Sequence, residues 1–560
     1  MDQECVDKGV ATRALLRPLV FVGGLYLGLS LLLRLVLWWR FGLSEGVLAA
    51  KLPLLLVLGV WHDIPVLLFV FGPLAALLCL FPAGWTGWRW VRYLMSGLLY
   101  LLLFGMLYLP FVEYFFFEEF DARFNLVAVD YLIYPTEVLV NIWGSYPVAW
   151  ILLAVAGFAL LLHRLLWPHW RRGLNSGCPL GSRLRLGGAW LLLAVIAVLF
   201  PGPGFRSGNR VADELAGNGL RSLVQAFCTN ELDFLTYYRT IDDNQAFALM
   251  RRELALAEVE APGRDLNRTV SDRADGLGPM NVIVIVEESM GAGFVGAYGD
   301  KRGLTPALDR LAAEGLRFSN VFATGTRTVR GLEAITLSLP PIPSESVLKR
   351  PGCEGLANWG QVMQSHGYHT SFLYGGYGYF DNMNHFFGTN GFALSDRTDI
   401  VAPRFTNIWG VSDEDLLQHA LGYFDRQQAG DQLFFSLIMT TSNHRPYTFP
   451  EGIPGVPAEG GGRKAGVCYA DYALGQFMDK AKQHAWYDNT LFVIVADHDA
   501  RVYGRARCPL SIIEFRCCFM RRQNWQPRFA RPTSARWTLR RRCLVCWDWA
   551  IRHPFTGRMF

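Results

Sequence analysis

Hydrophobic and polar positions divide the chain into two unlike halves. Before residue 205, apolar runs approach the roughly 20 residues that an α-helix needs to cross a bilayer. Five spans are predicted, at about 18–39, 60–82, 91–112, 147–167 and 187–203. After residue 205 the pattern changes. Residues 206–279 are mixed and charged, with helical periodicity around Glu231–Glu260 and a loop through Pro262–Pro279. They read as a helical linker. From 280 onward, short apolar runs alternate with amphipathic stretches. Strands are predicted at 281–287, 317–323, 369–374, 433–440 and 491–496, and helices at 305–315, 328–339, 356–367, 412–427 and 467–484. Such alternation predicts an α/β doubly wound domain over 280–504, behind a multi-span α-helical membrane domain over 1–205. The Pro- and Gly-rich stretch from Ser442 to Gly466 reads as a long loop lining the site.

Charge orients this arrangement. Arg13 and Arg17 precede the first span, Arg89 and Arg92 lie between the second and third, and five arginines from Arg164 to Arg185 lie between the fourth and fifth. The loop between spans three and four is acidic, with Glu113, Glu118, Glu119, Asp121, Asp130 and Glu137 against Arg123. The positive-inside rule then puts the amino terminus in the cytoplasm and everything after residue 205 outside. The expected location is the cell membrane, the inner one where there are two, with a periplasmic or otherwise extracytoplasmic catalytic domain. The first run is long and further spans follow, which argues against a cleaved signal peptide. Arg34 lies near one end of that run and is expected to snorkel to the interface.

The net charge of +5 conceals an asymmetry. Residues 505–560 carry 13 Arg against Glu514 and Asp548, a net +11, while the remainder has 40 basic and 46 acidic residues, a net −6. The body therefore offers no basic tract for nucleic acid. The same tail holds five of the eleven cysteines and four of the eighteen tryptophans, without strand alternation or a helical stripe. GC-rich DNA read out of frame yields Arg, Cys and Trp, so a frame shift near residue 505 is the expectation. A genuine basic tail beside the membrane is the alternative. Cys353 and Cys468 could form a disulfide or remain free thiols; spacing does not decide it.

Four separated pieces of the second half end in chemistry-bearing residues. One apolar run, 281–286, ends in Glu287-Glu288-Ser289, and a second, 491–496, ends in Asp497-His498. A third, from Leu433, ends in Thr-Thr-Ser-Asn443-His444, and the turn from Gly325 carries Thr328 into a helical stretch. In open parallel sheets, ligands bind outside the carboxyl ends of the strands. Carboxylates and an imidazole gathered there can hold a divalent cation, and a threonine hydroxyl beside it can serve as a nucleophile. Each residue also has a blander reading: Glu288 as a solvated strand end, Thr328 as a helix cap, His498 as a core histidine. Glu287 reads equally as a salt-bridge partner or a second-metal ligand. His366, His369 and His385 carry no motif and are expected to be structural. Tyr374, Tyr377 and Tyr379 suit either substrate stacking or core packing.

Thr305-Pro-Ala-Leu-Asp-Arg-Leu-Ala-Ala-Glu-Gly315 resembles the Thr-Pro-Asn-Leu-Asp-x-Leu-Ala-x-Glu-Gly signature of the alkaline phosphatase and sulfatase superfamily. The Glu-Glu-Ser upstream and Ala496-Asp-His498 downstream extend the match over about 280–504. In the membrane half, Glu118-Glu-Phe-Asp-Ala-Arg-Phe-Asn125, Val129-Asp-Tyr-Leu-Ile-Tyr134 and Thr136-Glu-Val138 are similar to the lipoteichoic acid synthase-like, membrane-anchored branch. Sulfatases carry Cys or Ser in Cys/Ser-x-Pro-x-Arg. This chain reads Thr328-Val-Arg330 at that place, and a threonine cannot become formylglycine.

The resemblance implies phosphoryl-type chemistry. Glu288, Thr328, Asp497 and His498 would hold one divalent ion, Mn²⁺ foremost on a mostly oxygen donor set, with Mg²⁺ or Zn²⁺ as alternatives. Thr328 would be the catalytic nucleophile. Asn443-His444-Arg445-Pro446 resembles the family's Asn-His-x-Pro segment, which implies headgroup binding by His444 and Asn443. Arg327 or Arg330 could complete a phosphate clamp. The implied reaction moves a phosphoglycerol or similar phospho-alcohol group from a membrane phospholipid donor to a glycan or lipid acceptor. A phosphate or sulfate ester hydrolase on the same site is the alternative, and an inactive membrane protein with a disrupted carboxyl terminus is the reading of another class. Two departures from the family stand out. Tyr374-Gly-Gly-Tyr-Gly-Tyr-Phe-Asp-Asn382 lacks the arginine that the family's Gram-positive members carry, and Asp499 stands where Gly is usual.

Overall fold

The computed structural model describes residues 2–80, 88–133, 135–175, 178–199, 207–228, 240–253, 266, 278–318, 321, 323, 325–339, 345–457, 461–499 and 518–520. About half of the expected 206–279 linker and nearly all of the 505–560 tail lie outside these residues. The chain forms two compact units, one mainly from Met1–Pro135 and Ile142–Thr229, the other mainly from Asn230–Val502.

The first unit is helical. Its main elements are α1 (Asp2–Leu37), α2 (Leu52–Val70), α3 (Gly72–Leu80), α4 (Arg89–Phe120), α5 (Leu126–Ile133), α7 (Val148–Leu174), α8 (Leu180–Leu199), α9 (Arg210–Ala216) and α10 (Gly219–Cys228), while the residues of α6 (Pro135–Ser145) are divided between the two units. Among the described residues, five stretches are long and apolar enough to cross a membrane: Ala11–Gly42, Ala49–Val70, Arg89–Phe120, Val148–Arg172 and Leu180–Ala197. The second of these starts about ten residues before the expected 60–82. Apolar residues run on from Leu52 past Leu80, longer than one span. Pro73 has no N–H to continue the α2 ladder, and the chain breaks at Phe71.

Arg34 does not snorkel. It is 1% exposed and makes a bidentate pair with Asp63 of α2, at 2.8 Å on each side. It also donates to Ser30 Oγ and to the carbonyls of Gly59, Leu215 and Gly217. Asp63 sits at the matching depth on the neighbouring helix, so turning inward satisfies the guanidinium better than an interface would.

The second unit is an α/β domain. Its strands are β1 (Asn281–Glu287), β2 (Leu316–Arg317), β3 (His369–Tyr374), β4 (Ala393–Ser395), β5 (Thr406–Asn407), β6 (Gly410–Val411), β7 (Phe434–Met439), β8 (Thr490–Ala496) and β9 (Cys518–Met520). Seven form one sheet in the order β2-β9-β8-β1-β7-β3-β4, and β5 pairs with β6 in a separate hairpin. The inner strands β8, β1, β7, β3 and β4 run parallel, whereas β9 lies antiparallel on β8 and β2. Strands β1, β7 and β8 are buried along their whole length, which explains why each reads as a continuous apolar run.

Helices precede or follow these strands at Pro306–Glu314, Thr328–Leu337, Trp359–Ser365, Met383–Thr389, Asp413–Ala429 and Gly462–Ala481. Pro306 at the first turn and Asp471 from a distant helix fix the Thr-Pro-Ala-Leu-Asp segment. Asp471 accepts the Ala307 and Leu308 N–H groups at 2.8 Å each, the orphan donors of a helix start. Cys353 and Cys468 are both free thiols.

Candidate metal and nucleophile centre

Register brings the strand ends together. Val286 of β1 pairs with Met439 of β7, and Glu287 pairs with Ala496 of β8. The next residues along each chain segment, Glu288, Thr440–His444 and Asp497–His498, therefore emerge side by side at the carboxyl edge, where a parallel sheet places its ligands. One ligand atom each from Glu288, Asp497 and His498 lies within 4.8 Å of the others, and all three residues are buried. His498 Nε2 stands 3.7 Å from Glu288 Oε1 and 3.4 Å from Asp497 Oδ2.

Neighbouring groups fix each of these side chains. His498 Nδ1–H donates to the Asp499 carbonyl, which leaves Nε2 as the nitrogen facing the two carboxylates. Asp497 Oδ1 accepts from the backbone of Ser289 at 2.8 Å and of His498 at 2.7 Å. Ser289 adopts a left-handed φ of 52° to present that N–H, and its hydroxyl donates to Glu288 Oε1 at 2.6 Å. The Asn443 amide donates to the Glu288 carbonyl at 2.9 Å and so ties the β7 loop to the β1 end. Asp413 holds the same loop from below, accepting the N–H groups of Thr441 and Ser442.

The electrostatics ask for a cation. Burial, and then the adjacent Glu288, push the Asp497 carboxyl well above its ordinary range. Burial also raises Glu288, but attraction to His498 and His444 and hydrogen bonds from Ser289 and Thr328 outweigh it and hold that carboxyl low. Burial drives His498 toward the neutral imidazole, the form that ligates metals. Asp497 Oδ2 is buried without a hydrogen-bond partner. Two carboxylates and an imidazole converging on one point, with an orphaned oxygen among them, fit a single divalent ion. Glu287 stands outside this triad and pairs with no cation among the described residues. It takes a long bond from Thr440, and burial beside Asp413 and Asp471 raises it well above its usual range, so it is held protonated.

Thr328 opens the Thr328–Leu337 helix, with Arg327 as the cap residue. Its half-buried hydroxyl donates to Glu288 Oε2 at 3.2 Å and lies close enough to Asp497 to act on its carboxyl. The other expected residues are placed differently. Arg330 pairs with the buried Glu333 at 2.8 Å. His444 packs its ring against Trp409, centroids 4.1 Å apart, and donates Nδ1–H to the Arg445 carbonyl. Its charge acts on Glu288. Tyr374 is buried and stacks on Phe372, whereas Tyr379 is 57% exposed. His369 bonds Tyr423 and His385 pairs with Glu354. Three neighbours of the centre carry no sequence signal: Trp409 in the β5–β6 hairpin, the anchor Asp413, and Arg463, whose charge is felt at His498. Asp499 packs where a side chain on Gly291 would otherwise stand, only 1.7 Å from its carboxylate oxygen.

A parallel α/β domain with acid and imidazole groups at its strand ends, in a chain with five span-length apolar helices among its described residues, defines a membrane-anchored phosphatase- or sulfatase-like class. The Sulfatase family matches residues 280–529. A structure from Vibrio parahaemolyticus, described as a protein in the alkaline phosphatase superfamily, is 38% identical; the match covers 53% of this chain and 73% of that one, with a TM-score of 0.49. The chain belongs to the alkaline phosphatase superfamily. Phosphoglycerol transferase I of Citrobacter koseri is 25% identical over 240 residues, 39% of this chain and 31% of that protein. The chain thus matches about a third of the length of this curated relative. The integral membrane lipooligosaccharide phosphoethanolamine transferase A of Neisseria meningitidis shares the fold across 91% of this chain and 88% of its own, at 14% identity and a TM-score of 0.50.

Proposed function

We propose that this membrane protein transfers a phosphoglycerol or similar phospho-alcohol group from a membrane phospholipid to an extracytoplasmic glycan or lipid acceptor, through a phosphothreonine at Thr328. The observation that supports it most is the Thr328 hydroxyl held by Glu288 beside Asp497 at the start of a helix. A threonine there excludes formylglycine chemistry and favours phosphoryl transfer.

Glu288, Asp497, His498 and Thr328 would hold the divalent ion, with Mn²⁺ favoured by the mostly oxygen donors. When bound, such an ion lowers the pKa of a hydroxyl and neutralises phosphate charge. Thr328 Oγ attacks phosphorus, its proton passing to the Glu288 carboxylate, and the P–O bond to the lipid alcohol breaks. The departing alkoxide takes up that proton from Glu288. The acceptor hydroxyl then attacks the same phosphorus, its proton passing to the Glu288 carboxylate and on to Thr328 Oγ as the Thr328–phosphorus ester breaks. Backbone N–H groups at the helix start receive the phosphate oxygens. His444, oriented by Trp409 and the Arg445 carbonyl, faces the headgroup.

The test is headgroup release from phosphatidylglycerol vesicles by the full-length protein in detergent, with and without a glycan acceptor. A transferase couples release to acceptor concentration. Release at the same rate into water alone would replace it with a hydrolase. Chelation should abolish release, and Mn²⁺ should restore it.

A further inference from the structure

We propose that Arg463, seated on Tyr447, is an anion-binding arm of this centre that grips the phosphoryl group of the substrate; the proposal rests on the phosphotransfer reading above. Arg463 is the second residue of the Gly462–Ala481 helix. Its guanidinium carbon lies 5.2 Å from the centroid of the Tyr447 ring. Nη1 is buried and has no hydrogen-bond partner, and among the described residues no carboxylate pairs with the side chain. A buried cationic donor left without an acceptor is costly unless a ligand supplies one. An arginine fork supplies parallel N–H groups matched to phosphate oxygens.

The surroundings aim this cation at the centre. Tyr447 is buried and holds a left-handed φ of 60°, a strained conformation for a bulky residue. That conformation sets its ring against the Arg463 helix. Gly466, three residues on along the same helix face, has no side chain, so Tyr447 and Asn443 approach closely there; a β-carbon would meet them at 3.0 and 3.1 Å. Asn443 in turn donates to the Glu288 carbonyl. A continuous set of contacts therefore runs from Arg463 through Tyr447 and Asn443 to Glu288. The Arg463 charge is also among those acting on His498. Arg330 is engaged by Glu333, and the segment from Tyr374 to Asn382 contains no arginine. Arg463 supplies a cation that neither of these offers.

The experiment compares wild type, Arg463→Met and Arg463→Lys in the full-length, detergent-solubilised protein. It reads metal content, inhibition by inorganic phosphate, and KM and kcat for headgroup release from phosphatidylglycerol vesicles. Methionine should raise KM and the inhibition constant for phosphate together, about tenfold or more, at unchanged metal content. Lysine should recover only part, because it keeps the charge without the fork. A rise in KM with phosphate inhibition unchanged would place the contact on the lipid rather than on phosphate and overturn the proposal. So would an Arg463→Met protein with wild-type values for both, or one that loses its metal. If wild type binds phosphate through Arg463 yet releases no headgroup, the arm stands and the transferase reading falls. If wild type releases headgroup and methionine changes nothing, the reverse holds.

Discussion

A β-carbon on Gly331 would stand 2.3 Å from the carbonyl oxygen of Asp497. The helix that carries Thr328 thus lies directly on the backbone of the β8 end, and only a residue without a side chain permits it. This approach sets the distance between nucleophile and acid. Gly331→Ala should push the helix outward, cost about 1–3 kcal/mol of domain stability and cut turnover on the order of a hundredfold, as displacements near 1 Å do. Turnover and thermal unfolding of the purified protein check it. Near-normal turnover would mean that the helix position is not what aligns the hydroxyl.

Thr328→Ala removes the attacking oxygen and one donor while leaving Glu288, Asp497 and His498 in place. Turnover should fall on the order of 10³-fold or more, with most metal retained. Thr328→Ser should keep measurable turnover. Mass spectrometry of wild type quenched during turnover should find added mass on the peptide containing Thr328. An unmodified peptide together with an active alanine variant would remove the covalent intermediate.

Asp471 gives a pH prediction. Burial pushes its carboxyl up to about 6, against the pull of the Leu308 and Ala307 N–H groups. The folded pKa is thus raised above the ordinary 3.8. Its contribution is fully present below about pH 4 and is lost as pH rises through about 6, up to about 3 kcal/mol. Asp471→Asn cannot titrate, so unfolding free energies of wild type minus variant should decline across that window. The amide still accepts one N–H and loses the other, a pH-independent cost near 1 kcal/mol. A flat difference from pH 4 to 7 would show that the carboxyl titrates normally.

Much of the α/β domain is legible in the sequence because its central strands are buried on both faces. Strands β1, β7 and β8 read as apolar runs, and the polar residues just past each run are the ones the sheet gathers at its edge. Pieces of two or three residues, β4, β5 and β6, show no period, so Trp409 between β5 and β6 gives no hint of meeting His444. The pattern predicts the last helix from 467, yet it begins at Gly462. The three glycines before Arg463 read as loop, and this hides a residue whose position depends on the fold of Tyr447. Arg34 reads as an interface residue because its partner lies 29 residues away on another helix, at a depth that hydropathy does not encode. The strand expected at 317–323 is described only as Leu316–Arg317.

Loop charge gives a topology prediction. Arginines flank the expected inner ends of the helices, while the α4–α6 region is acidic, so the amino terminus should be cytoplasmic and the α/β domain outside. Alkaline phosphatase fusions should be active after residue 210 and silent after residue 87. The opposite pattern would also remove the extracytoplasmic acceptor.

The Arg34–Asp63 pair ties α1 and α2 to the segment that leaves the helical unit. Arg34 donates to the Leu215 and Gly217 carbonyls at the end of α9, and Asn218 donates to Asp63 at 2.7 Å. Removing one member leaves a buried charge without its partner, which costs about 3–5 kcal/mol, whereas replacing both with apolar residues of similar volume is often neutral. Arg34→Met should therefore destabilise the detergent-solubilised protein strongly, and Arg34→Met with Asp63→Leu should recover most of the loss. The single variant should also speed hydrogen exchange across α9 and the start of α10, because their carbonyl anchors are gone. Equal stability of the single and double variants would show that the pair carries no net coupling. Unchanged exchange over residues 210–220 would show that α9 is held by its apolar face, through Val211, Ala212 and Leu215, rather than by Arg34.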